Sequence, residues 1–401
     1  MKKKVCNWLD SNQFGGLHVI DNQIQACPVR GVTLIDNVKL NEVGVDEIQQ
    51  KRKELFEKIN CGNSKICEGC SFLVEKEEED IDIGKIDTLV LHPYTTCNLH
   101  CSYCVISKQN LEAKLYPKDR ILAPTIKKLN EWAPERWGGG GLFKENFSLA
   151  LGGGEPSLIN DMKEIAEYMN SQQTNTNLTI ITNSSISNRI DYMIDSLSTS
   201  PNVSKTHNTS LDSGTRETYK KLKSRDLFDE TCNNIKKYAS SGIFNEMILK
   251  YVMMNDNSNI SKKDLRGFVN IVKEVAAINK NKQIVIIDAD MRIQKNYVTS
   301  YFEKTDEFHY YPISKKQVKA AAFLYNMLKD TAEIRFIGGR INPERSKVGA
   351  NDVKRILDYA NSHEFDNINM LQKIFSVKNR NNHKVLNIFG VKFKFRRKDA
   401  V

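Results

Sequence analysis

Residues 86–104 read Ile86-Asp87-Thr88-Leu89-Val90-Leu91-His92-Pro93-Tyr94-Thr95-Thr96-Cys97-Asn98-Leu99-His100-Cys101-Ser102-Tyr103-Cys104, an apolar run that ends in a loop carrying three cysteines. Apolar, β-rich runs of the same kind return at 147–151, 177–182, 205–211, 247–254 and 283–287, and amphipathic stretches at 124–132, 158–170, 190–197, 216–240 and 262–277 alternate with them. Strand followed by helix, repeated in one order, predicts successive βα units and a parallel sheet. The fold class expected is α/β, a partial (β/α)6 TIM-like barrel; a doubly wound open sheet gives the same local pattern, and periodicity does not separate the two.

Working outward, the acidic run Glu75-Lys76-Glu77-Glu78-Glu79-Asp80 marks a boundary. It divides the chain into a Cys-rich lobe (1–72), an acidic, solvated linker (73–85), the barrel (86–300) and a carboxy-terminal helical extension with a basic tail (301–401). Strand-like runs at 17–20 and 32–35 and a helical stretch at 45–59 are expected in the lobe; helices at 315–329 and 351–361 and a strand at 333–337 are expected in the extension. Gly138 to Gly141 lacks the Lys-Ser/Thr ending of a phosphate loop and reads as a flexible connection.

The loop after the first strand carries the chemistry. Ligands of parallel α/β sheets gather at the carboxyl ends of strands, where Cys97, Cys101 and Cys104 fall. Three cysteines hold three irons of a cubane and leave the fourth open to a non-protein ligand. Zinc wants four ligands, and this spacing is unusual for a zinc finger.

The x3-then-x2 spacing, with Tyr103 before the third cysteine, resembles the signature of the radical S-adenosylmethionine (SAM) superfamily. The resemblance covers roughly residues 86–291 and implies a [4Fe-4S] cluster on the three cysteines, with SAM chelated on the open iron. It implies reductive cleavage of SAM to methionine and a deoxyadenosyl radical that abstracts hydrogen from an unactivated carbon, with flavodoxin or ferredoxin as electron donor. Gly152-Gly153-Gly154-Glu155-Pro156, at the second strand end, is similar to the family's Gly-Gly-Glu-Pro motif, so Gly153, Gly154 and Glu155 are expected around the methionine amino group. Asn183 and Ser210, at the third and fourth strand ends, are similar to the polar positions around the ribose and carboxylate of SAM, and each reads equally well as a cap or turn. Ile287-Asp288-Ala289-Asp290 shows no clear adenine-contact pattern.

Cys27, Cys61, Cys67 and Cys70 put four thiols in the lobe, enough to close a tetrahedral zinc or to complete a four-iron cluster. The segment is similar to auxiliary-cluster segments that other radical enzymes carry after the barrel; here it comes first. An auxiliary iron–sulfur cluster, a structural zinc and no metal all stay open, in that order of preference. Cys6 reads as a free thiol, Cys232 as buried packing, His100 as a loop residue, and His18 and His92 as core histidines.

Lys plus Arg exceed Asp plus Glu, 59 to 49 in 401 residues, a balance open to nucleic acid, anionic lipid or phosphorylated substrates. No recognisable nucleic-acid module interleaves the basic residues with aromatics, so no specific nucleic acid is expected. No apolar run approaches the roughly 20 residues that cross a bilayer, and Met1-Lys2-Lys3-Lys4 leads into no apolar signal core, so a cytoplasmic location is expected. The tail from Val385 to Lys398 alternates apolar and basic residues; it reads as a lysine-protected edge strand before peripheral contact with anionic lipid. It is also similar to the basic-aromatic ends of bacterial polysaccharide biosynthesis proteins, which implies a sugar or glycan-biosynthesis intermediate as substrate. A peptide-modifying maturase is the alternative, and a metal-binding scaffold without catalysis the alternative of another class.

Overall fold

The computed structural model describes residues 1–20, 23–27, 32–36, 42–61, 67, 70, 72–92, 97–104, 123–135, 139–158, 162–171, 176–198, 200–254, 256–289, 313–337, 347–363, 375–380, 383–388 and 391–396. Its centre is an open sheet of ten strands, in the order β12-β11-β10-β9-β8-β7-β6-β2-β3-β4. β6 (Ile86–His92), β7 (Phe143–Leu151), β8 (Thr176–Ile181), β9 (Val203–Ser210), β10 (Glu246–Met253) and β11 (Lys282–Ala289) are the six runs read from the sequence. All are parallel, as are β2 (Gly16–Ile20) beside β6 and β12 (Glu333–Ile337) beside β11.

The crossovers are helical: α2 (Ala123–Trp132), α3 (Met162–Asn170), α4 (Asn188–Leu197), α5 (Arg216–Lys223), α6 (Phe228–Ser241) and α7 (Lys262–Ile278). The stretch read as one helix over 216–240 is two, because Ser224 takes a left-handed conformation (φ 59°) at the end of α5. Thr215 caps α5, so Asp212 and Ser213 are free for other work. In α7, Ser261 caps the helix, and Leu265, Phe268, Val269, Val272 and Val275 form an apolar stripe toward the sheet. Gly267 of α7 abuts Gly214 so closely that a Cβ on Gly267 would stand 1.9 Å from the carbonyl oxygen of Gly214, so neither position admits a side chain.

β9 shows how the sheet divides its faces. Val203, Lys205, His207 and Thr209 are buried, while Ser204, Thr206, Asn208 and Ser210 stay half-exposed. The half-exposed row continues sideways, since Thr206 pairs with Thr179, Asn208 with Ile181 and Ser210 with Lys250. On β8 and β9 this face therefore carries small polar side chains, beside Ile181 and the buried Ile248, Ile284 and Ile286 of β10 and β11, with Lys250 paired to Asp288 at 3.3 Å.

The lobe is joined to this sheet rather than hung from it. β3 (Gln23–Cys27) and β4 (Val32–Ile35) continue the sheet antiparallel from β2. The acidic run expected as a solvated linker is instead β5 (Leu73–Glu77) and a 3-10 turn (Glu78–Asp80), and β5 pairs with β1 (Lys2–Cys6). The physical reason is charge matching: Lys2 faces Glu77 and Lys4 faces Glu75 across the ladder. Arg52 of α1 (Val45–Asn60) is fully buried and donates to the carbonyls of Leu9, Gly16, Ile83 and Lys85, tying lobe, connection and sheet together.

The extension is less helical than expected. Besides α8 (Lys315–Leu328) and α9 (Lys347–Ser362) it supplies β12 to the main sheet and forms a three-stranded antiparallel sheet, β13 (Phe375–Arg380), β14 (His383–Ile388) and β15 (Val391–Arg396). The described part of the basic tail thus lies in the end of β14 and in β15, an edge strand, while Phe389, Gly390, Arg397 and Lys398 lie outside the described residues, as do Thr95, Thr96, Gly138 and Asp290. Gly140 and Gly141, read as part of a flexible connection, donate backbone hydrogen bonds to Glu131 and Ala133 at the end of α2. Among the described residues no helix is long and apolar enough to cross a membrane.

Candidate functional site

Cys97, Cys101 and Cys104 sit on a loop that docks on the carboxyl end of α5. The Ser102 amide donates to the Leu222 carbonyl at 2.8 Å, the His100 amide to the Lys223 carbonyl at 3.2 Å, and Ser224 Oγ to the His100 carbonyl at 2.8 Å. Leu99 is buried, His100 is exposed, and the three thiols are half-buried. The Cys104 amide donates to the Cys101 carbonyl (3.0 Å), closing the turn, and the Leu99 amide points at Cys97 Sγ (3.4 Å). Burial pushes the Cys97 thiol up to about 12, with the Glu155 and neighbouring cysteine charges adding to it and the Leu99 amide opposing it. A bound cation removes that penalty by taking the thiolate.

Under the loop lies a buried charged network. Tyr103 Oη donates to Asp212 Oδ2, and Lys223 Nζ donates to Tyr103 Oη (2.5 Å), Asp212 Oδ2 (2.5 Å) and the Ser210 carbonyl (2.7 Å). Tyr103, Asp212 and Lys223 are all buried. Asp212 takes a left-handed conformation (φ 61°) and accepts from the Val252 amide, while Asn259 Nδ2 bridges the Asp212 and Val252 carbonyls, so the ends of β9 and β10 are locked to one another. Burial acts to lower the Lys223 pKa, but the Asp212 carboxylate, with Tyr103 and Cys101, outweighs it and holds the ammonium charged. Burial raises the Cys101 thiol, and the Lys223 charge opposes the rise. The sequence reading missed this network; its signal was an aspartate at a strand end, followed by a helix that closes with Lys220, Lys221 and Lys223.

Gly152 donates to the Leu91 carbonyl, and Gly153 has φ 86°, a conformation that keeps bare backbone at the strand end. Glu155, expected to face an ammonium, is buried and turned to protein donors. Oε1 accepts from the Ser157 amide (3.0 Å) and Thr182 Oγ1 (2.6 Å), and Oε2 from the Asn183 amide (2.7 Å). Burial raises its pKa against the pull of those donors. A carboxylate has about four acceptor sites, so one remains on Oε2. Glu155 therefore ties the end of β7 to the end of β8.

Asn183 is a bridge. Its Nδ2 donates to Asn98 Oδ1 (2.8 Å) and stands 3.7 Å from Cys97 Sγ, while its Oδ1 accepts from the Ser185 amide and hydroxyl. Ser210 is half-buried on the polar face beside Lys250, and its carbonyl receives Lys223. The structure thus brings Cys97, Glu155 and Asn183 into one hydrogen-bonded chain and connects Ser210 to Cys101 through Lys223. Three soft donors with amide protons on one sulfur, beside bare glycine backbone and an acceptor carboxylate, fit a cluster and an amino-acid-like ligand in donor chemistry.

The lobe cysteines are placed differently from the expectation. Cys6 Sγ is hydrogen-bonded to Cys27, and Cys67 lies within electrostatic reach. Cys70 packs in the same small core, and Cys61 is exposed at the end of α1. None of the nine cysteines is in a disulfide, and Cys232 is buried in α6. Among the described residues, no three His, Cys, Asp or Glu side chains are gathered as tightly as one ion requires, at either set of thiols.

Residues 91–266 match the family model of the Radical SAM superfamily, a span from β6 into α7 that contains every strand end just described. That segment matches a radical SAM domain, whose family uses a [4Fe-4S] cluster and SAM. No curated protein matches the chain. Among solved structures the chain is similar to Streptococcus suis SuiB bound to S-adenosylmethionine, at 15% identity over 64% of this chain and 52% of that one, with a TM-score of 0.42. It is similar to SuiB bound to precursor peptide SuiA at 15% identity, 70% and 53% coverage and a TM-score of 0.44. The match thus spans about half the length of those chains.

Proposed function

We propose that the chain is a radical SAM enzyme built on a six-unit partial barrel, which abstracts hydrogen from a carbon of a substrate held on the polar face of the sheet. The observation that supports it most is the continuous hydrogen-bonded chain from Cys97 through Asn183 to Glu155, at the carboxyl ends of adjacent parallel strands. Cys97, Cys101 and Cys104 would hold a [4Fe-4S] cluster, which when bound and reduced supplies the electron that cleaves SAM to methionine and a deoxyadenosyl radical. The protein's own part is positioning. Lys223 offsets thiolate charge beside Cys101, and Tyr103 anchors the loop to Asp212. Gly153 and Gly154 present backbone to the methionine end, Glu155 aligns two strand ends and offers its remaining lone pair, and Asn183 orients Asn98 beside Cys97. Dithionite, flavodoxin or ferredoxin would serve as electron donor.

Of the two substrate classes, a peptide is favoured over a sugar or glycan intermediate. The described part of the tail that carried the glycan expectation runs through β14 and β15 of a small separate sheet. The main sheet ends in a short, half-exposed edge strand, β4, of the kind to which an extended peptide adds by strand pairing. The peptide of the SuiB complex belongs to that class. The glycan reading keeps one observation, the hydroxyl and amide side chains of Thr179, Thr206, Asn208 and Ser210 on the polar face.

The test is anaerobic reconstitution with iron and sulfide, followed by SAM and dithionite. Deoxyadenosine is expected from the wild type and none above background from the Cys97→Ala, Cys101→Ala, Cys104→Ala variant; a reconstituted wild type that neither binds nor cleaves SAM overturns the reading. Deuterium appearing in deoxyadenosine from perdeuterated peptides, and not from deuterated nucleotide sugars, selects the peptide, and the reverse selects the glycan.

A further inference from the structure

Lys223 closes α5 with its ammonium buried under the loop of Cys97, Cys101 and Cys104. An ammonium has three donors, and all three are engaged inside the protein, on Tyr103 Oη (2.5 Å), Asp212 Oδ2 (2.5 Å) and the Ser210 carbonyl (2.7 Å). Lys223 therefore has no hydrogen bond left to give a ligand; what it still projects is charge. Asp212 is held as firmly, with Tyr103 and Lys223 on Oδ2 and the Val252 amide on Oδ1 at 2.8 Å.

Both charges lie where water screens them least, since the Lys223 and Asp212 side chains are 2% and 0% exposed. The ammonium stands 5.0 Å from the centre of the Tyr103 ring, and Tyr103, Leu222, Val252 and Met254 form the small apolar cluster on which Cys101 packs. The loop is fastened to the same helix end, through the Ser102 and His100 amides on the Leu222 and Lys223 carbonyls. Stability is a poor reason for such a pair, because apolar residues of similar volume in place of a buried ion pair often leave a protein as stable or more so. At Cys101 the two charges act in opposite senses, Lys223 favouring the thiolate and Asp212 opposing it, and Lys223 is the stronger.

We propose that Lys223 and Asp212 set the reduction potential of the [4Fe-4S] cluster assigned to Cys97, Cys101 and Cys104, Lys223 raising it and Asp212 lowering it. The inference rests on the radical SAM reading above. Reduction brings one electron from dithionite onto the cluster and makes or breaks no bond, so it adds one negative charge beside Cys101. A fixed positive charge nearby stabilises the reduced form, a fixed negative charge destabilises it, and the buried surroundings strengthen both. Because Lys223 prevails at Cys101, the pair as a whole favours electron uptake.

The experiment reads potential, not turnover. The full chain is reconstituted anaerobically with iron and sulfide, without SAM, and poised with dithionite and redox mediators while the electron paramagnetic resonance signal of the reduced cluster is integrated per cluster. At a fixed poise, Lys223→Met is expected to lower the ratio of reduced to oxidised cluster about tenfold, a downward shift of about 59 mV for one electron. Asp212→Asn is expected to raise it. Both changes break the same ion pair, so a purely structural role moves the two potentials the same way, whereas a field moves them apart. Lys223→Met with Asp212→Asn leaves no buried charge unpaired and is expected below the wild type; if Lys223→Met alone assembles no cluster, the contrast is read between Asp212→Asn and this double variant. Shifts of one sign, or no shift, overturn the inference, and a wild type that still cleaves SAM then leaves the radical reading standing. A wild type that assembles no cluster overturns both.

Discussion

The chain contains two cysteine turns of the same local shape in opposite surroundings. Cys101–Cys104 and Cys67–Cys70 are both closed by an amide-to-carbonyl bond across two residues. The first lies among strand ends, half-buried, with Asn183, Lys223 and Asp212 close by and polar groups on the sheet face beside it. The second lies among Leu9, Ile59 and Phe72, with Cys6 and Cys27 supplying the rest. A turn of this kind presents sulfur and decides nothing further. What stands by the turn differs between the two: Asn183 and the Glu155 carboxylate in one case, two more thiols in the other.

Each region also has a buried cation, Lys223 beside Cys101 and Arg52 between lobe and sheet, and exchanging these separates the two regions. Lys223→Met should have the largest effect. It leaves the Asp212 carboxylate buried without its ion-pair partner, which costs about 3–5 kcal/mol. It also removes a donor to Tyr103, so iron retained on the Cys97–Cys104 loop after reconstitution should fall. Urea unfolding with an iron count on the same sample checks both; unchanged stability and iron mean that the network is incidental. Arg52→Met should cost somewhat less, roughly 3 kcal/mol, because the carbonyls of Leu9 and Gly16 lose a buried donor at about 1–3 kcal/mol each. The lobe should then open first, seen as faster proteolysis near the amino terminus with SAM cleavage retained. Simultaneous loss of both regions makes lobe and sheet one cooperative unit, contrary to the contrast.

What was legible in the sequence follows from range. The six parallel strands and the helices between them announced themselves because a buried parallel strand is a local run of apolar residues, as in Glu246–Met253, where all but Glu246 and Lys250 are buried. The clustering of Cys97, Cys101 and Cys104 was legible because they lie within eight residues. β1, β3 and β5 were not: Lys2–Cys6 and Leu73–Glu77 are charged and become strands only by facing one another across some seventy residues. The same non-local pairing carries Cys6 to Cys27 and leaves Cys61 outside, a selection that spacing alone does not encode. Glu155 was found by its motif, but its orientation toward Thr182 and Asn183 depends on the strand next door.

The smallest of the expected effects concerns acid. His207 is fully buried on the helix-covered face of β9, with Nε2 against Ser184 Oγ at 2.9 Å and its ring against Tyr238 and Phe244. Burial lowers its pKa from 6.5 to about 3. The folded value lies below the unfolded one, so on acidification the unfolded chain takes up a proton first. Stability is intact above about pH 6.5 and falls by up to roughly 1.4 kcal/mol per pH unit toward pH 3. Between pH 6 and pH 4 the loss from this group is about 2.5 kcal/mol. Ser184 adjoins Asn183, which touches Cys97, so the strain of a protonated imidazole falls on the radical site and not on the lobe. His207→Gln keeps a partner for Ser184 and removes the titration, and in the variant without Cys97, Cys101 and Cys104 no radical-site metal complicates the comparison. Urea melts at pH 6 and pH 4 should show a smaller acid loss in His207→Gln than in its parent by about that amount. Equal losses in the two proteins would mean that His207 is hydrated or already charged in the folded state, and that the acid sensitivity resides in the carboxylates.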